Sequence, residues 1–197
     1  MAPEHRWTRQ WERVRRWYRR IVDYGEIRSQ GDVLTIGQDE FELLDFLEAA
    51  LVATYHLKDH VKNDKSLQHS QGSSIEGIEG FIGRSDALAL CADLANGYKH
   101  LSLSTPRSKQ AADIVPVLRV HLDSSVGARS ITLGLSIVAG SRSIDPVKFL
   151  EQCILDWEHF LVDEARILIP DWRSHYSESV TLPPKRGEVV AAPENNL

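Results

Sequence analysis

Two cysteines, a single methionine and the lack of any long apolar run mark this 197-residue chain by what it does not contain. The missing run excludes a membrane-spanning helix, which needs about 20 predominantly apolar residues in succession. Cys91 and Cys153 are too few for the disulfide framework of a small secreted fold. Both fall on the apolar faces of predicted helices and read as reduced, buried thiols, as in a cytoplasmic protein. Arginines interrupt the N-terminal residues throughout, so the apolar core of a secretory signal is absent there. No internal repeat occurs, and no cofactor is expected.

What is present suits one domain. Hydrophobic residues make up 42% of the chain and charged ones 26%, inside the globular range. The length supports one proper core and would be cramped for two. The formal net charge of -5 hides an uneven distribution. Residues 1–20 carry seven arginines against Glu4 and Glu12, a local balance of +5, which leaves -10 on the rest of the chain. A basic arm on an acidic body binds a polyanion or folds back on its own body.

The arm itself is helical in pattern. Over residues 5–28, Trp7, Trp11, Val14, Tyr18 and Ile21 alternate four-three spacings, an aromatic-rich seam for packing. Arg6, Arg9, Arg13, Arg16 and Arg20 occupy the other side. They serve either as a solvated face behind a core seam or, through Arg9, Arg13 and Arg16, as phosphate contacts. A second helix is predicted from about residue 38 to 63, with Leu43, Leu47, Ala50, Leu57 and Val61 inward. Residues 64–83, rich in Ser, Gly and Gln, read as a loop holding one helical turn around Ile78, Phe81 and Ile82. Ser85 and Asp86 are suited to cap a third helix, whose stripe is Ala87, Leu90, Cys91, Leu94, Tyr98 and Leu101. Gly97 inside it suggests a close backbone approach or a local break.

The period then changes from helical to alternating. Ile114, Leu118, Val120 and Leu122, followed by Ile131, Leu133, Leu135 and Ile137, predict an antiparallel hairpin around residues 123–127. Asp145 and Pro146 announce a last helix, as N-cap and first helical residue. The expected fold is mainly α: a four-helix bundle with an appended antiparallel β-hairpin at about 113–139. One domain covers residues 1–170, and residues 171–197, without periodicity, form a flexible tail.

Two polar edges carry the candidate chemistry. On the second helix lie His56, Asp59, His60 and Asn63, with Tyr55 adjoining. On the third lie Asp93, Asn96, Lys99 and His100. If the two helices are neighbours, these edges meet in one cluster, open to three readings. His56 and His60 at i, i+4 can ligate a metal together with His100 and Asp93, although the glutamate of zinc-protease helices is missing from His56-Leu57-Lys58-Asp59-His60. His100 can act as general acid or base on a phosphodiester, with Lys99 or Arg84 stabilising charge and Asn96 orienting the imidazole. Or the cluster is a hydrogen-bond network that locks two helices in one packing.

The segment Asp93-Leu94-Ala95-Asn96-Gly97-Tyr98-Lys99-His100, near a helix end in a mainly four-helix chain, resembles bacterial helical-bundle proteins of the HEPN type. It is also similar to bacterial and prophage proteins with a D-x-x-N-x-x-K-H segment. The resemblance implies a metal-independent RNA-cleaving or RNA-binding component of a defence or toxin–antitoxin system. It further implies a homodimer with its site at the dimer interface and a protein partner or antitoxin. Of the family motif, an arginine followed by a histidine after four to six residues, only His100 carries over, because positions 93 to 95 are Asp, Leu and Ala. The same residues also suit a non-enzymatic interaction module, in which the arginine face and the hairpin serve association.

Overall fold

The seam of Trp7, Trp11, Val14, Tyr18 and Ile21 becomes helix α1, Arg6–Glu26, and all five side chains are buried. The computed structural model describes residues 6–26, 40–64, 67, 77–100, 105–123, 128–167 and 169. Helix α2, Glu40–Lys62, packs along α1 and buries Leu47, Ala50, Leu51, Leu57 and Val61. Among them, Gln10 of α1 donates from Nε2 to the Ala53 carbonyl of α2 at 2.7 Å, a polar pin that fixes the rotation of α1 about its axis.

The predicted single turn in the Ser/Gly-rich stretch is a short helix, α3, Ile78–Arg84, with Ile78, Phe81 and Ile82 buried. Helix α4, Asp86–His100, follows almost at once. Ser85 caps it: its hydroxyl accepts from the Leu88 N–H at 3.0 Å and donates to Asp156 at 2.5 Å, tying the start of α4 to the last helix. Gly97 does not break α4, and a Cβ built there meets nothing within 4 Å among the described residues. Gly97→Ala is therefore expected to raise stability by up to about 1 kcal/mol, read by urea unfolding.

Helix α5, Pro146–His159, starts as anticipated. The Asp145 carboxylate accepts from the N–H groups of Val147 at 3.0 Å and Lys148 at 3.2 Å, and proline stands at the first turn. The helix runs on into a π-helical turn, Phe160–Glu164, closed by the Ala165 N–H on the Phe160 carbonyl at 2.8 Å. The inward residues Phe149, Cys153, Trp157, Phe160 and Leu161 are buried. Trp157 meets Phe160 edge-on at 6.0 Å, and Phe160 in turn meets Phe81 of α3 at 5.1 Å. Cys91 and Cys153 are free and buried, and burial, then the neighbouring Cys91 thiol, pushes the Cys153 thiol well above its ordinary range.

The expected hairpin is present but belongs to a three-stranded antiparallel sheet. Strands β1, Ala112–Asp123, and β2, Ala128–Ala139, pair in the register Ile114↔Ile137 and Leu118↔Leu133. A third strand, β3, Arg142–Ile144, pairs with the end of β2 across a two-residue turn, Gly140-Ser141. Gly140 has φ +60, the sense that a tight hairpin turn needs at its first central residue. Three residues are too few to show a period of two, which is why β3 escapes a reading of the sequence. Leu135, Ile137 and Ala139 are buried, and Ala112, Ile114 and Ile144 pack against the same core as the helices. Residues 171–197, expected as a tail, lie outside the described residues.

Candidate nucleic-acid interface

A helix whose apolar seam is buried must turn its remaining side chains outward, and on α1 those are mostly arginines. They divide into two flanks. On one, Arg15, itself buried, is bonded to Glu12 at 2.6 Å, and the exposed Arg19 lies 3.6 Å from Asp23. On the other, Arg13, Arg16 and Arg20 follow at i, i+3 and i+7, one above another on the helix surface. Among the described residues no carboxylate pairs with any of these three; Arg13 is bonded instead to Gln10 Oε1 at 3.0 Å. Gln10 is the residue that pins α1 to α2, so it orients this flank as well as the helix. Arg9, also exposed, extends the flank by one turn toward the N-terminus.

Trp17 sits within this flank, off the core seam and half-buried. Its ring lies 5.8 Å from that of Phe46 on α2, and the Arg20 guanidinium stands 4.9 Å from the Trp17 centroid and 5.7 Å from that of Phe46. Arg13, Arg16, Trp17 and Arg20 together line a depression of about 250 Å³. Cations beside a half-buried aromatic ring that lines a surface depression suit phosphate and base together. The signal was present in the sequence: an aromatic outside the four-three seam, with arginines one turn before and one turn after it.

The described residues of the polar edges of α2 and α4 lie outside this arginine flank. His56 Nδ1 is 3.1 Å from Asp59 Oδ2, a pair closed within one turn of α2, and His60 is half-buried a turn further on. Asp93 is buried, and its two oxygens accept from the backbone N–H groups of Arg107 and Ser108, both at 2.7 Å. It thus fastens the turn after α4, where Lys109 adopts φ 59. Asn96 is half-buried on α4. Lys99 and His100 stand in the last turn of α4, with side chains outside the described residues. Among the described residues no three His, Cys, Asp or Glu side chains are placed to hold a metal ion.

Tyr55 lies in a cluster with Lys58, Glu79 and the same Arg107, whose guanidinium is 5.9 Å from the Tyr55 ring centroid, so Arg107 joins Tyr55 of α2 to Asp93 of α4. Lys58 Nζ donates to the Tyr55 hydroxyl and to Glu79 Oε1, each at 2.9 Å, and lies 4.4 Å from the Tyr55 ring centroid. Arg107 donates to Glu79 Oε2 at 3.0 Å. The cluster clasps α2, α3 and the turn after α4. Burial alone would raise the Glu79 carboxyl, but the hydrogen bonds and charges of Lys58 and Arg107 bring it below its ordinary 4.5. For Lys58, burial works to lower the ammonium, and the bonds to Tyr55 and Glu79 outweigh it and raise it.

A carboxyl whose folded-state pKa lies below its unfolded value contributes stability above the unfolded pKa and loses it as pH falls through the folded one. Glu79→Gln is accordingly expected to flatten the acid limb of a Tm-against-pH curve below about pH 4.5. An unchanged acid limb counts against the clasp.

No protein-family model, curated protein or solved structure matches this chain significantly.

Proposed function

We propose that the protein is a non-enzymatic RNA-binding module that contacts its ligand through Arg9, Arg13, Arg16, Trp17 and Arg20 of α1. The observation that carries this reading is the set of three guanidiniums, Arg13, Arg16 and Arg20, stacked on one helix flank without a carboxylate among the described residues. Around them the chain beyond residue 20 is acidic, at -10, so a polyanion is repelled elsewhere and drawn to this face. The flank from Arg9 to Arg20 spans roughly 16 Å at 1.5 Å per residue, enough to follow a few phosphates. The resemblance of residues 93–100 to HEPN-type segments favours RNA over other polyanions. That binding rather than cleavage is the activity is supported by the employment of Asp93 in bonds that fasten the turn at Arg107 and Ser108.

The test is fluorescence anisotropy of a labelled single-stranded RNA against the full chain over a salt series. Binding that weakens steeply with salt is expected, with a log–log slope near -2 for about three phosphate contacts on a single strand. Affinity absent at low salt, or indifferent to salt, overturns the reading. The same RNA, followed by gel after prolonged incubation, is expected to stay intact. Cleavage abolished by His100→Ala, with an unchanged Tm, would instead establish the nuclease that the resemblance implies.

A further inference from the structure

We infer that the α1 flank selects unpaired bases, with one nucleobase stacking on Trp17 while Arg13 and Arg16 hold the adjoining phosphates. The inference rests on the RNA-binding reading and adds to it the kind of RNA that is taken. A purely electrostatic patch needs no aromatic, yet Trp17 stands at the centre of this one, at i+4 from Arg13 and i+1 from Arg16. Its ring is only partly used in packing: Trp17 is half-buried against the edge of the core beside Phe46, and it lines the depression with Arg13, Arg16 and Arg20. Arg20, 4.9 Å from the centroid, already stands over that ring as a cationic planar group, the kind of neighbour that also accepts a stacked base.

The size of the depression points the same way. At about 250 Å³ it lies just below the range of drug-sized pockets and suits one flat heteroaromatic ring. A base in a duplex has its faces covered by its neighbours and reaches such a site only by leaving the stack, which costs free energy. An unpaired base enters at no such cost. Stacking of one base on an aromatic side chain corresponds to roughly 5- to 150-fold in affinity.

The test compares three labelled probes of equal length with the full chain at one salt concentration: a 12-mer oligoadenylate, its duplex with oligouridylate, and an abasic ribose-phosphate 12-mer. The oligoadenylate is expected to bind at least about fivefold more tightly than the abasic strand. Trp17→Leu is expected to narrow the ratio between the oligoadenylate and the abasic strand to about one, and Trp17→Phe to restore part of it. Thermal melting of both variants confirms that the fold persists, and the comparison of probes on the unaltered protein stands even if Trp17→Leu does not fold. Equal affinity for oligoadenylate and the abasic strand, or tighter binding of the duplex, overturns the inference while leaving RNA binding in place. No binding of any probe, or preference for an aspartate-rich peptide over all three, overturns the RNA-binding reading and this inference with it.

Discussion

Reversing Arg13, Arg16 and Arg20 together to glutamate is expected to abolish measurable RNA affinity at 50 mM salt. Removing the three phosphate contacts alone amounts to a few hundredfold there, on the basis of about 0.7 counterions released per contact with a single strand. Turning attraction into repulsion adds to that loss. Stability should fall by only about 1–2 kcal/mol, because among the described residues the three arginines have no carboxylate partner to lose, only the Arg13–Gln10 bond and the stacking of Arg20 on Trp17 and Phe46. Like charges at i, i+3 and i, i+4 repel by a few tenths of a kcal/mol each, so neutralising Arg16 alone to glutamine should leave Tm unchanged or slightly higher while weakening binding. Arg19, which faces Asp23 on the other flank, serves as the control, and Arg19→Gln should change RNA affinity less than about twofold. Equal losses from Arg16→Gln and Arg19→Gln would mean that net charge acts, and not the flank.

The largest expected effect on folding is that of Trp157→Ala, about 4 kcal/mol by urea denaturation, typical of truncating a large buried aromatic. Trp157 is fully buried where α5 meets the rest of the bundle, at 0% exposure, and it holds Phe160 edge-on. Its indole N–H has no hydrogen-bond partner among the described residues. Trp157→Phe removes that unsatisfied donor along with part of the ring, so the two changes oppose each other. The phenylalanine variant should therefore cost less than half as much as the alanine variant. Similar losses from both would show that the indole N–H is satisfied in solution, by a group or a water that the folded chain brings to it.

Much of the architecture is legible one segment at a time. The seam of α1, the Ser85 and Asp145 caps, Pro146 and the alternation of β1 and β2 are local signals. Each reports a choice made within one or two turns of chain, where backbone geometry and burial of a single face decide the outcome. β3 is missed because pairing with β2, and not its own three-residue pattern, makes it a strand. Gly97 misleads for a related reason: a glycine in a helix says that no side chain is there, and cannot say whether anything needs the space.

The site divides along the same line. By itself the sequence determined a mainly helical fold, a basic first helix on an acidic remainder, and which face of that helix must be buried, because periodicity and charge are properties of the chain in order. Tertiary structure alone decided how the polar side chains are used. It bound Asp93 to the turn at Arg107 and Ser108, joined Tyr55 to Lys58 and through it to Glu79, and set Trp17 beside Phe46 with Arg13, Arg16 and Arg20 around it. Hydrogen bonds and ring contacts reach only a few ångströms, so their partners are chosen by how the helices dock, and spacing along the chain does not record that.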